Sequence, residues 1–161
     1  MLSLTRKTDY ALLVLAAMAR SGSDKTSVRD LAEQSGVSVR LLANILNRLK
    51  HEGLIKSARG TKGGYGLAMD PAQITLTRLI EAIEGPMRLA RCCPVEGEVQ
   101  SDGCRLEDSC ITKEAVRKLH ETLRNFLGQV TLRDLTWNTI SLKVDLSVAD
   151  DRYERLPAMV H

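Results

Sequence analysis

The sequence contains few aromatic residues. One Trp, one Phe and three Tyr make up 3% of its 161 residues, whereas 43% of the residues are hydrophobic. The core must therefore be built mainly from Leu, Ile, Val and Ala, a composition that suits packed helices better than β-sheets. An all-β fold is disfavoured, and we predict a mainly α fold.

The sequence also lacks long apolar runs. None approaches the roughly 18 apolar residues that a membrane-spanning helix needs. The apolar stretch 11–19, preceded by Arg6 and Lys7, resembles a signal peptide, but Asp9 and Tyr10 interrupt the junction. We therefore expect a soluble protein of the reducing cytoplasm, without a membrane partner.

Catalytic motifs are missing as well. The chain has no H-E-x-x-H pair, nucleophile elbow, dinucleotide fingerprint or Walker loop, and no C-x-x-C beside a βαβ pattern. The three histidines, His51, His120 and His161, are far apart in the sequence, so we expect them at the surface or at an interface. We predict that the chain is not an enzyme.

Charge is distributed unevenly along the chain. Up to Arg91 there are 14 Lys and Arg against 8 Asp and Glu, whereas the remainder has 9 against 12. A basic first half favours contact with nucleic acid phosphates.

Residues 26–51 have the pattern of a helix-turn-helix. Ser27 and Asp30 have capping-box spacing, the first helix stops at 35–36, and Ser38 is placed to cap the second. The second helix has an apolar face formed by Leu42, Ile45, Leu46 and Leu49. Its other face carries side chains able to contact base edges in the major groove, namely Ser38, Arg40, Asn44, Asn47 and Arg48.

A basic, glycine-rich hairpin follows directly. We predict strands at 53–57 and 65–69 joined by a turn at 59–64, which together form a wing. The basic side chains suit phosphates or a minor groove, and the glycines allow close backbone approach. The expected DNA contacts of the wing are Arg59, Lys62, Gly63, Gly64 and Tyr65.

A long amphipathic helix is predicted beyond residue 110. Its apolar stripe is too long to be covered by what remains of one domain, so we expect pairing with the same helix of a second subunit. We divide the chain into a winged helix-turn-helix domain at 2–86, a cysteine-rich loop at 87–111, a dimerisation helix region at 112–137 and a mobile tail at 138–161. The stripe consists of Ile111, Ala115, Leu119, Leu123, Phe126, Leu127 and Val130.

All four cysteines lie in one loop, which is rich in turn-forming residues and lacks apolar periodicity. A metal or cluster bound by thiolates would supply the free energy that orders such a loop. An iron–sulfur cluster, a structural zinc and a thiol–disulfide switch all fit four clustered cysteines. The residues are Cys92, Cys93, Cys104 and Cys110.

Five segments occur in a characteristic order: the opening segment 4–12, the turn 35–38, the segment 46–55, the wing 59–65 and the cysteine loop before a long helix. Together they resemble the Rrf-type iron–sulfur winged-helix regulators, the family of IscR, NsrR and RirA-like proteins. The resemblance implies a homodimer that binds a partly palindromic operator in double-stranded DNA, as a repressor or an activator. It also implies that an iron–sulfur cluster near the dimer interface controls the affinity for DNA.

The resemblance further implies a set of cluster ligands. Cys104 and Cys110 match the second and third ligand cysteines, and Cys92 matches the first, with the adjacent Cys93 as the alternative. The histidine ligand of IscR-like members is replaced by Lys113, whereas Asp9 matches a carboxylate that NsrR-like members supply from the partner subunit. We favour a 4Fe-4S over a 2Fe-2S cluster, sensing iron–sulfur status, redox stress or nitric oxide.

Overall fold

The computed structural model describes residues 4–22, 25–60, 63–93, 104–105 and 109–140. These residues confirm a mainly α fold with one small β-hairpin. None of the described helices is both long enough and apolar enough to cross a bilayer. In chain order the elements are α1 Arg6–Arg20, α2 Val28–Ser35, α3 Val39–His51, β1 Ile55–Ala58, β2 Gly64–Leu67, a 3-10 turn Pro71–Gln73, α4 Leu76–Glu84, α5 Lys113–Gln129 and α6 Leu132–Trp137.

The helix-turn-helix forms as its sequence signals predict. The Ser27 hydroxyl oxygen accepts a hydrogen bond from the Asp30 backbone N–H at 3.2 Å and so caps α2. Gly36 ends that helix with a φ of +67°, a left-handed conformation that favours glycine. Ser38 occupies the N-cap position of α3, although its side chain makes no capping hydrogen bond. The predicted apolar face of α3 is buried, and α1 packs across α2 and α3 to complete the core.

The strands of the hairpin differ by one or two residues at each end from the predicted positions 53–57 and 65–69. The hairpin is antiparallel, with Ile55 opposite Leu67 and Ala58 opposite Gly64. The first strand starts later than predicted because Gly53, at a φ of +70°, belongs to the turn that ends α3. Tyr65 exchanges two backbone hydrogen bonds with Thr26, of 2.8 and 2.9 Å, which fasten the wing to the segment before α2.

Helix α5 packs against α4 and leaves part of its apolar stripe uncovered. The Thr77 hydroxyl donates to the Arg124 carbonyl at 3.1 Å, and Leu119 is 61% exposed. His120 is the buried residue of this helix, at 3% exposure, so of the two expected placements, surface or interface, it does not have the surface one. The uncovered stripe is compatible with the predicted homodimer, which stays a prediction.

The first turn of α1 is tied to the last turn of α4. The Glu84 carboxylate accepts hydrogen bonds from the hydroxyls of Thr5 and the fully buried Thr8. Burial raises the pKa of Glu84, but the two hydrogen bonds outweigh it and hold this pKa below its ordinary value. The ionised form is therefore favoured by folding.

We expect Thr8→Val to lower the free energy of unfolding by about 1 kcal/mol at neutral pH, since the carboxylate it bonds is partly screened by solvent. Urea denaturation measures this change. Because the folded pKa of Glu84 is depressed, its contribution is present above the unfolded pKa and is lost as the pH falls through the folded value. The loss in free energy of unfolding caused by Thr8→Val should therefore become smaller at acidic pH. Thr5→Val, at the exposed hydroxyl, is the matched control with a smaller loss, and a pH-independent deficit would contradict this account.

Candidate DNA interface and cysteine site

The polar face of α3 is exposed opposite its buried face. Arg40, Asn44 and Asn47 all lie on the solvent side, and Ser38 is exposed at the helix start. Guanidinium and amide groups in this arrangement are able to make bidentate contacts with guanine and adenine edges. These side chains are exposed at the start and along the solvent side of α3, where a recognition helix would need them in order to enter a major groove.

Arg48 has a structural contact that the sequence does not reveal. Its Nε donates a hydrogen bond of 2.6 Å to the backbone carbonyl of Ala82, which joins α3 to α4. Only the terminal nitrogens of this guanidinium remain for a DNA contact. The arrangement favours a role for Arg48 in holding the recognition helix against the domain.

Val39 is a candidate contact that sequence reasoning missed. It is the first residue of α3 and is 50% exposed, beside Ser38 and Arg40. An apolar side chain at this place fits against a thymine methyl group. Its only signal in the sequence is that it follows the N-cap and stands outside the spacing of the buried leucines.

The wing places its predicted residues in different surroundings. Arg59 is exposed at the end of β1, whereas Lys62 lies outside the described residues. A Cβ on Gly63 would lie 2.5 Å from the Ala58 carbonyl, and one on Gly64 would lie 2.7 Å from the Thr26 carbonyl. These glycines are thus required by the hairpin itself.

Tyr65 was predicted as a DNA contact, but its side chain is half-buried. It packs against the hydrophobic core of the domain, and its backbone is paired with Thr26. This placement favours a packing role for the ring.

Cys92 and Cys93 lie together in a short turn beneath α5. Both are buried, Cys93 completely, and the Cys93 N–H donates to the Ala90 carbonyl at 3.0 Å. The Arg117 Nε donates to the Cys92 carbonyl at 2.7 Å and so fixes this turn to α5. Burial raises the pKa of the Cys92 thiol, and the neighbouring sulfurs of Cys93 and Cys110 raise it further.

Cys110 lies just before α5 in a different environment. Its sulfur is 3.4 Å from the Thr112 hydroxyl, and hydrogen bonding from Thr112 lowers the pKa of the thiol. Cys104 is half-buried, and Asp9 is exposed in the first turn of α1. In the described part of the chain the four cysteines are free thiols.

The donor set fits a thiophilic metal, although the ligands are not brought together. Among the described residues, no three side chains of His, Cys, Asp or Glu converge on a point that would hold an ion. Thiolates are the usual ligands of iron–sulfur clusters and of structural zinc. The chemistry of Cys92, Cys104 and Cys110 therefore suits such a group, and binding would have to bring the three sulfurs together.

Comparisons with known proteins find relatives that are named as transcriptional regulators. A family profile described as "Rrf2: Iron-dependent Transcriptional regulator" matches residues 4–138. The HTH-type transcriptional regulator IscR of Xenorhabdus nematophila is 32% identical over 142 residues, covering 88% of this chain and 83% of that protein. The IscR of Cronobacter sakazakii is 34% identical, with coverage of 88% and 84%. These relatives are named as transcriptional regulators, so the prediction of a non-enzyme is confirmed.

Solved structures give the same fold. CymR, the global cysteine regulator of B. subtilis, superposes with a TM-score of 0.66 at 30% identity, covering 87% of this chain and 100% of that one. T. potens IscR gives a TM-score of 0.64 at 25% identity, covering 86% and 89%. The oxidized form of Staphylococcus aureus CymR gives 0.61 at 25% identity, covering 84% and 96%. The predicted winged-helix fold is confirmed.

Proposed function

The chain belongs to the Rrf2 family of transcriptional regulators, and we propose that it is a homodimeric, cytoplasmic repressor or activator whose operator affinity is controlled by a bound iron–sulfur cluster. The observation that carries the proposal is the link between the cysteine turn and the helix of the predicted dimer. Arg117 of α5 holds the Cys92 backbone at 2.7 Å, so the position of a ligand cysteine and the position of α5 are coupled.

Each subunit would present one recognition helix to DNA. Arg40, Asn44 and Asn47 supply the base contacts, Val39 an apolar contact and Arg59 a phosphate contact. Two subunits related by a two-fold axis read two half-sites, which is why the operator should be partly palindromic.

The cluster would be held by Cys92, Cys104 and Cys110, with Asp9 of the partner subunit as the fourth ligand. The complete burial of Cys93, against 8% exposure of Cys92, and the hydrogen bond that fixes the Cys92 carbonyl to α5 favour Cys92 as the first ligand. When bound, the cluster supplies a redox-active centre that oxygen or nitric oxide destroys. A 4Fe-4S form is the one we favour.

The coupling to DNA passes through residues of this chain. Arg117 ties the cysteine turn to α5, and the Arg124 guanidinium of α5 lies 3.5 Å from the Glu81 carboxylate of α4. Arg48 then joins α4 to the recognition helix at 2.6 Å. A shift of α5 would thus change the spacing of the two recognition helices, which must match successive major grooves.

The test is one sample of protein purified without oxygen, on which visible absorption, iron, acid-labile sulfide and zinc are measured. We expect brown protein with equal iron and sulfide, and an operator affinity that changes when the cluster is removed by nitric oxide. Four irons per chain support the 4Fe-4S form. Colourless protein that carries zinc after attempted reconstitution would overturn the sensor and leave a winged-helix regulator with a structural metal.

A thiol–disulfide switch is the second candidate. Cys92 and Cys93 are adjacent buried thiols, the cysteines of the described residues are free, and an oxidized form of S. aureus CymR is among the structural relatives. This function predicts metal-free protein whose operator affinity changes with peroxide and is restored by a thiol reductant.

A further inference from the structure

Val39 differs in exposure from the other large apolar residues of the DNA-binding domain. Within the described stretches 26–60 and 63–69 it is the one large hydrophobic side chain that is exposed, at 50%. The others in these stretches are buried or half-buried. A single exposed apolar residue is ordinary on a protein surface, so the position of Val39 must decide whether the exposure has a function.

Val39 is the first residue of α3 and lies among the polar residues at the start of that helix. Ser38 before it and Arg40 after it are both exposed. Ala43, at i+4, is half-buried and continues the apolar surface of Val39 along the helix. Arg40 and the exposed Asn44 form a polar row beside these two residues. Because a recognition helix brings its N-terminal residues to base edges, the apolar row would meet bases adjacent to those that the polar row contacts.

The folded chain gains little from a valine at position 39. β-Branched residues are poorer helix formers than alanine, and an exposed side chain gives up much of the free energy of burial. The same branching holds χ1 in one strongly preferred rotamer within a helix, so the side chain loses little freedom when it contacts a ligand. Val39 is therefore suited to a contact outside the chain.

We propose that Val39 reads the 5-methyl group of a pyrimidine in the major groove, and that operator affinity depends on this methyl whether it belongs to thymine or to 5-methylcytosine. The methyl is an apolar group on an otherwise polar base edge, and uracil and unmodified cytosine lack it. Like the proposed function on which it rests, this contact requires α3 to enter the groove. It makes operator recognition sensitive to methylation of cytosine at C5, an input separate from the proposed cluster.

The test uses the full-length chain, purified without oxygen, and an operator duplex obtained by selection from a random library. Each thymine is replaced in turn by uracil, which lacks only the 5-methyl group, at the equivalent positions of both half-sites. Fluorescence anisotropy then gives the Kd of each duplex. We expect the parent to lose affinity at one thymine position per half-site, by about fourfold for each methyl removed and about 15-fold for the symmetric pair.

Val39→Ala should bind the thymine and uracil duplexes equally, because the side chain that contacts the methyl is absent. The variant should fold, since a better helix former replaces an exposed side chain. Leu13→Ala is the matched control. It removes a similarly exposed apolar side chain, 53% against 50%, from α1, and it should keep the preference of the parent for thymine.

Duplexes that carry cytosine or 5-methylcytosine at the same position separate the methyl from the rest of thymine. We expect the parent to bind the 5-methylcytosine duplex about 15-fold more tightly than the cytosine duplex. Val39→Ala should bind these two duplexes equally.

Three results would each overturn the methyl contact: uracil costs the parent no affinity at any position, Val39→Ala keeps the uracil penalty, or 5-methylcytosine binds no better than cytosine. In each case a loss of operator affinity in Arg40→Ala would leave the proposed function intact. If no operator can be selected, the proposed function fails and the methyl contact fails with it.

Discussion

Cys110→Ala should remove the bound iron and acid-labile sulfide almost completely while the protein remains folded. Cys110 lies before α5, and its described side-chain contact is the Thr112 hydroxyl, so the substitution leaves the core intact. Loss of one thiolate from a set of three leaves the cluster without the ligands that hold it. Iron and sulfide assays of anaerobically prepared protein, with circular dichroism as the check on folding, measure the effect.

The adjacent pair Cys92 and Cys93 provides the matched controls. Cys92→Ala should lose the cluster as Cys110→Ala does, whereas Cys93→Ala should keep it, since the fully buried Cys93 sulfur packs in the interior. If Cys93→Ala loses the cluster and Cys92→Ala keeps it, Cys93 is the ligand and Cys92 is not. If Cys110→Ala keeps the full cluster, Cys110 is not a ligand. The assignment of the DNA-binding face would not be affected by that result.

The elements predicted best are those fixed by local physical chemistry. The Ser27 cap, the Gly36 turn and the buried face of α3 follow from hydrogen-bonding side chains, backbone freedom and helical periodicity over a few residues. The strand positions were less accurate, because a turn at Gly53 ends the helix and delays the strand. The spacing of apolar residues does not indicate that a turn delays the start of a strand.

Hydrogen bonds between polar groups that are far apart in the chain could not be predicted from the sequence. The hydrogen bond of Arg48 to Ala82 joins residues 34 positions apart, and the bond of Thr8 to Glu84 joins residues 76 apart. On a helical wheel Arg48 is simply polar, and His120 falls on the charged side of α5, although the domain buries it. Such residues gain their roles from tertiary packing, which no local pattern encodes.

The candidate site was predictable in composition but not in arrangement. Four cysteines in one loop indicate thiolate chemistry, yet only burial separates Cys92 from Cys93. Likewise Tyr65 sits in a wing motif, but its ring is turned towards the core. A motif specifies which residues are near DNA or metal, whereas the direction of each side chain depends on the packing around it.

Arg40→Ala should cause the largest loss of operator affinity among substitutions on α3. Arg40 is exposed in the first turn of the recognition helix, where a bidentate contact to a base is worth about 1–3 kcal/mol, or roughly 5- to 150-fold for each half-site. Binding to DNA of unrelated sequence should fall much less, because base contacts contribute to the operator only. Fluorescence anisotropy with operator and random duplexes measures both affinities. The operator is first obtained by selection from a random library.

Arg59→Ala in the wing is the informative comparison. A phosphate contact carries no sequence information, so this variant should lose affinity for both duplexes alike and show a smaller dependence of log Kd on log salt. Arg133→Ala, an exposed charge on α6, is the control and should leave both affinities unchanged. If both Arg40→Ala and Arg59→Ala leave the operator affinity unchanged, the face formed by α3 and the wing does not bind DNA. If Arg40→Ala loses affinity equally for both duplexes, Arg40 contacts the phosphate backbone and not a base.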